Sequence, residues 1–248
     1  MRYVPSALMA ATVLACGLTG AALAQEYDKT FLDYDGKPTV TALPNGKGTD
    51  IIFIAPGAFS QLAEYDAAVV DLPEVLISAK SEYKGAAPMD LYMISEFLHQ
   101  DVIEAIIYGG YYVVDRPGAG VLYMTLAITD LKLKKKKRGL LAYTPGGYFT
   151  KAGIDATRNV MEKYDIMGLT FQAEIMDSRT NQVLASVVAL RGNNGQRMEF
   201  TEFDADVQSF ASRLLCRLDN SRGPEDQDID CRKQAARHAE EHRSHAAK

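Results

Sequence analysis

Two stretches of chain that read as strands on either side of a short turn restrict what this sequence can fold into. In GLTFQAEIMDSRTNQVLASVVALRG, residues 168–192, the side chains of Leu169, Phe171, Ala173 and Ile175 fall on one side of an extended backbone. The chain then turns at DSRTN and returns through an almost wholly apolar run. In YYVVDRPGAGVLYMTLAITDLKL, residues 111–133, a short apolar run meets a Pro-Gly turn and continues into a long one, the sequence form of a hairpin or close pairing. Connections this short favour antiparallel neighbours.

The period changes to 3.6 in two other places. From Met89 to Tyr108, Leu91, Ile94, Leu98, Val102 and Ala105 share one helical face. From Thr201 to Leu218, Phe203, Val207, Phe210, Leu214 and Leu218 form a second apolar stripe, with Thr201 and Asp204 spaced as an acidic cap at its start. DIIFIAPGAF and YDAAVVDLPEVLIS read as further strands or extended segments. The pattern predicts an α+β fold: a largely antiparallel sheet of about five strands, at 67–72, 111–115, 120–133, 167–177 and 182–190, with two main helices packed on it. The corresponding organisation is a signal peptide at 1–24, an N-terminal extended region at 25–64, the α+β domain at 65–219 and a polar tail at 220–248.

The N-terminus predicts export. Arg2 precedes an uncharged apolar run from Ala7 to Leu18, too short to span a bilayer, and small residues follow. Ala22-Leu23-Ala24 suits general signal peptidase and would leave Gln25 first, whereas Val13-Leu14-Ala15-Cys16 resembles a lipobox in which Cys16 would be acylated. Either cut implies the periplasm, with the protein soluble or lipid-anchored to the outer membrane through Cys16. The remaining cysteines, Cys216 and Cys231, are an even pair across a polar loop, as expected of a disulfide in an oxidising compartment. On the helical stripe Cys216 falls opposite the apolar residues, toward solvent. A net charge of -5 gives no reason to expect a nucleic-acid partner.

At IIFIAPGAFSQLAEYDAAVVDLPEV, GYYVVDRPGAGVLYMTLAITDLKL and GLTFQAEIMDSRTNQVLASVV, the chain resembles, in order and spacing, the bacterial envelope family known as domain of unknown function 3313. The likeness covers about residues 30–192. Its most specific parts are the PGAG turn followed by Ile128-Thr129-Asp130 and the Glu174 to Asp177 end of the next hairpin. The resemblance implies an exported protein, often a lipoprotein, and supplies neither a substrate nor an active site.

Residues with chemical potential are few. KLKKKKRG places Lys132, Lys134, Lys135, Lys136, Lys137 and Arg138 at a strand end, a basic patch able to meet anionic lipid or an acidic envelope polymer, or simply a solvated end that discourages edge pairing. HAEEH, residues 238–242, matches the form of a zinc-peptidase motif but lacks the apolar helix face and further ligand such a site needs. His99 stands three residues after Glu96, a spacing met by a surface ion pair or hydrogen bond. Neither G-x-S-x-G nor a phosphate-binding loop is present, and no cofactor is expected. The expectation is a non-catalytic envelope protein that binds another envelope protein or an acidic envelope polymer; the alternative is an exported hydrolase whose site is assembled from scattered residues.

Overall fold

Extended, β-rich segments need partners for every buried N–H and C=O, and the computed structural model shows where they find them. It describes residues 27–32, 39–42, 48–136, 154–191, 196–222 and 231. In chain order the elements are β1 (Thr39–Ala42), β2 (Gly48–Ile54), α1 (Ala58–Leu62), β3 (Ala67–Val70), β4 (Glu74–Ile77), α2 (Pro88–Tyr108), β5 (Tyr112–Val113), β6 (Val121–Lys135), α3 (Ile154–Lys163), β7 (Tyr164–Asp177), β8 (Val183–Arg191) and α4 (Phe200–Arg222).

The architecture is α+β, as the periodicities predict. Among the described residues, however, the sheet is mixed and eight-stranded, in the order β1-β2-β8-β7-β6-β3-β5, with β4 also paired to β6. This corrects the expectation of about five largely antiparallel strands, and α1 and α3 add to the two main helices. β1, β2, β8, β7 and β6 are successive antiparallel neighbours, whereas β3 and β4 lie parallel to β6 and β5 lies parallel to β3. The parallel part follows from α2, which occupies the connection before β5 and returns the chain to the level at which β3 began.

The Pro-Gly turn consequently does not close a hairpin. β3 lies between β5 and β6, and the N–H groups of Asp66 and Ala67 donate to the Gly120 carbonyl at 3.1 and 3.3 Å. β7 and β8 do form the hairpin expected of 168–192. Asp177 ties its turn by accepting from the N–H groups of Arg179 and Thr180, and Tyr65 donates to its other oxygen at 2.8 Å. The Thr180 hydroxyl, which donates to Asp177 at 2.8 Å, contributes most, and with Tyr65 and the two N–H groups it favours the charged form and holds the carboxyl down at about 2.

One face of the sheet carries Met124, Leu126, Ile128, Phe171, Ala173 and Val187 into the main core. The predicted α4 stripe, Phe203, Val207, Phe210, Leu214 and Leu218, is buried in that core, and Phe210 stacks on Phe171 with centroids 5.2 Å apart. Phe97 of α2 meets Phe203 at 5.7 Å, joining the two long helices. On the opposite face Leu32 packs with Ile51, Val188 and Leu190, while Gln172 donates to the Asp28 carbonyl at 2.8 Å. The predicted cap of α4 is displaced: Glu202 accepts from the Glu199 N–H at 3.1 Å, whereas Asp204 accepts from Gln208.

Cys216 and Cys231 form a disulfide with Cα atoms 5.5 Å apart. Contrary to the helical-wheel expectation, Cys216 is buried, at 2% exposure; the stripe argument treats α4 as having one covered face, and a second is covered here.

Gly48 marks the start of β2 opposite Arg191 of β8, with φ of 147°. A Cβ there would lie 2.0 Å from the Leu190 carbonyl oxygen, a backbone atom that cannot swing aside. Gly48→Ala is therefore expected to cost on the order of 2 kcal/mol or more, read as a lower urea midpoint with an unchanged slope. A wild-type midpoint would refute this close approach of β2 to β8.

Candidate functional site

Charged side chains within an apolar sheet and helix require partners, and the β2–α4 junction supplies them internally. Asp50 of β2 is fully buried and faces α4. Arg213 donates to it through Nε at 2.8 Å, and Arg217, one turn on, through Nη2 at 2.5 Å. Arg213 also donates to Ser209. Arg191, at the end of β8, is 97% buried by side chain, on its 3% exposure, and its Nε lies 3.9 Å from a carboxylate oxygen of Asp206. Burial lowers the Arg191 pKa, Asp206 and Asp50 oppose that effect, and Arg217 adds to it.

Among the described residues three guanidiniums here face two carboxylates, an excess of one positive charge. Donors are also in excess: Nε and Nη2 of Arg191 and Nη1 of Arg217 have no hydrogen-bond partner among the described residues.

Beside the cluster, α4, α1 and the end of β2 leave a cavity of about 210 Å³. Ile52 and Ile54 of β2, Val187 of β8, Leu214 and Leu218 of α4 and Phe59 of α1 supply its apolar wall, and Arg217 and Asn220 its polar groups. β1 pairs with β2 only as far as Ile52, leaving Ile54 at 45% exposure, and Phe59 is 43% exposed. Asn220 also donates to Cys231 Sγ at 3.3 Å, connecting the pocket to the disulfide.

The residues singled out by sequence lie elsewhere. Of the basic run, Lys132 pairs with Asp130 at 2.7 Å, Lys134 with Glu82 at 3.3 Å and Lys136 with Asp165 at 3.6 Å. Lys135 lies 5.4 Å from the Tyr83 ring centroid. Local partners thus offset part of that positive charge; Lys137 and Arg138 lie outside the described residues. Cys16 and the HAEEH stretch lie outside them as well. His99 bonds the Val70 carbonyl at 3.0 Å, and Glu96 is taken by Gln100 rather than by His99. Sequence reasoning missed Asp50, Arg191, Arg213 and Arg217, although a charge set directly before IIFI and two arginines four apart beside an apolar stripe were visible signals.

Residues 41–214 match the family described as "Protein of unknown function (DUF3313)". The chain belongs to that family. No protein of curated function matches it. Among solved structures it is similar to the PelC dodecamer of Paraburkholderia phytofirmans, at 13% identity over 69% of this chain and 96% of that one, TM-score 0.35. It is also similar to a DUF4136 family protein of Bacteroides thetaiotaomicron, at 11% identity over 73% and 98%, TM-score 0.33. Among the described residues of this family member, no helix is long and apolar enough to cross a membrane.

Two outcomes follow from the charged groups. Asp50→Ala strands Arg213 and Arg217 in the interior and is expected to cost about 3–5 kcal/mol of unfolding free energy; a loss below about 1 kcal/mol would refute the cluster as drawn. At the α2–α4 contact, burial first and then the charges of Asp204 and Glu104 push the Asp101 carboxyl from 3.8 up to about 7. The folded state then holds a proton that the unfolded chain has released, so this group's stabilising contribution falls as pH rises from about 4 to about 7. Asp101→Asn should flatten that decline in urea unfolding at pH 5 and pH 8; an unchanged decline would place the titration elsewhere.

Proposed function

We propose that this chain is an exported cell-envelope protein that acts by binding, without turnover, as an accessory or structural component. The observation that carries this reading is the lining of the cavity between β2, β8 and α4. Branched aliphatic side chains can hold an apolar group there, and the polar groups beside them are a guanidinium and an amide. Arginine stays protonated in proteins and asparagine does not titrate, so this wall offers grip and orientation rather than proton transfer or attack. The Cys216–Cys231 disulfide supports a life in an oxidising compartment, alongside the signal-type N-terminus.

The location proposed is the periplasm, either free or held to the outer membrane through Cys16. Contact with an envelope protein or acidic envelope polymer is assigned to the outward sides of Lys132 and Lys134, whose side chains are 37% and 51% exposed, with Lys137 and Arg138 beyond them in sequence.

Intact mass of the protein purified from fractionated cells tests the address. A chain starting at Gln25, or an acylated chain starting at Cys16 and extracted only by detergent, is expected. A cytoplasmic chain that retains Met1 to Ala24 would overturn export. Hydrolysis of an envelope substrate by purified protein, abolished by one substitution that spares the fold, would overturn the binding reading.

A further inference from the structure

We propose that the cavity between α4 and the β2–β8 sheet is a binding site for a medium-chain aliphatic monocarboxylate, its chain among Ile52, Leu62, Leu214 and Leu218 and its carboxylate beside Arg217. The assignment rests on the binding reading above and names the ligand class of the same site. Three properties of the site converge on it.

The first is size and wall chemistry. An apolar cavity of about 150 Å³ lined by aliphatic and aromatic side chains stays dry and takes up benzene, so a cavity of about 210 Å³ has room for roughly eight carbons. The walls are mostly branched aliphatic side chains from five elements, which match a flexible alkyl chain.

The second is an entrance of matching polarity. Ile54 and Phe59 are half-exposed although both line the cavity, so an apolar group entering there covers surface that water now meets. Arg217 stands in the same lining at 19% side-chain exposure, with Nη2 fixed on Asp50, and so presents a positive charge whose position is set from behind.

The third is charge. Arg191, Arg213 and Arg217 exceed Asp50 and Asp206 by a single positive charge. One carboxylate neutralises that excess, whereas an ammonium head would add to it. A planar carboxylate also suits a guanidinium edge, and Arg217 is the charged residue of the cavity lining.

The test is calorimetric titration of the purified protein with octanoate, 1-octanol and octylammonium, three probes of equal chain length. Octanoate should bind saturably, octanol about tenfold more weakly and octylammonium not measurably. In Arg217→Met, which keeps the apolar stem and removes the charge, octanoate should fall about tenfold to the level of octanol, while octanol itself stays unchanged. Absence of saturable octanoate binding up to about 10 mM, or equal binding of all three probes, would overturn the proposal. Should Arg217→Met not fold, the three-probe series on wild-type protein decides it alone. Loss of octanoate binding would leave the export result untouched, and a cytoplasmic location would leave the titration untouched, so the two readings fail separately.

Discussion

Strand β6 is the element on which the rest of the sheet depends, because it is where two modes of pairing meet. Along one edge it runs antiparallel to β7 for almost its whole length; along the other it takes β3 and then β4 in parallel, at Val121 to Met124 and at Ala127 to Leu131. A strand with both edges occupied cannot slide, since a one-residue slip would turn Met124, Leu126 and Ile128 away from the helices and break registers on two sides together. Its pairing with β7 shifts between Thr129 and Lys132, around Asp130 with its φ of 48°, and again between Lys132 and Leu133. Ser78 and Lys132 both donate to the Asp130 carboxylate, fixing a backbone conformation that a non-glycine residue seldom adopts. The Ile128-Thr129-Asp130 signature thus ends on the residue at which the register shifts.

Outward from β6, the two halves of the sheet use different sequence logic. The β7–β8–β2–β1 side is built from antiparallel neighbours whose alternation or apolar run is written locally. The β3–β5 side rests on a helical crossover, and its strands are short: four residues in β3 and two in β5. Short edge strands limit the length of unpaired backbone offered to other chains.

The Asp50 cluster gives the fold its polar interior and defines the site beside it. Burying several arginines is costly unless each finds an acceptor, and one carboxylate serves two of them. With Asp50 holding Arg217 from behind, the guanidinium stands beside an aliphatic cavity without filling it. The disulfide adds a restraint at the same end of α4, since Asn220, which lines the cavity, donates to Cys231. Site and staple share one helix end.

By itself, the sequence determined the α+β class, the long helices, the β7–β8 hairpin, the cysteine pair and the family. Each of these is encoded by nearby residues or by a pattern with a fixed period: Leu169 to Ile175 for a strand, Phe203 to Leu218 for a helix, two cysteines for one bond. Only the tertiary structure decided that β3 enters between β5 and β6, that β1 and β2 join the sheet through β8, that Cys216 is buried and that Asp50 meets Arg213 across 163 positions of chain. Strand order and buried charge pairing depend on which surfaces remain uncovered once every element has packed. That is a property of the whole chain, and no local period records it.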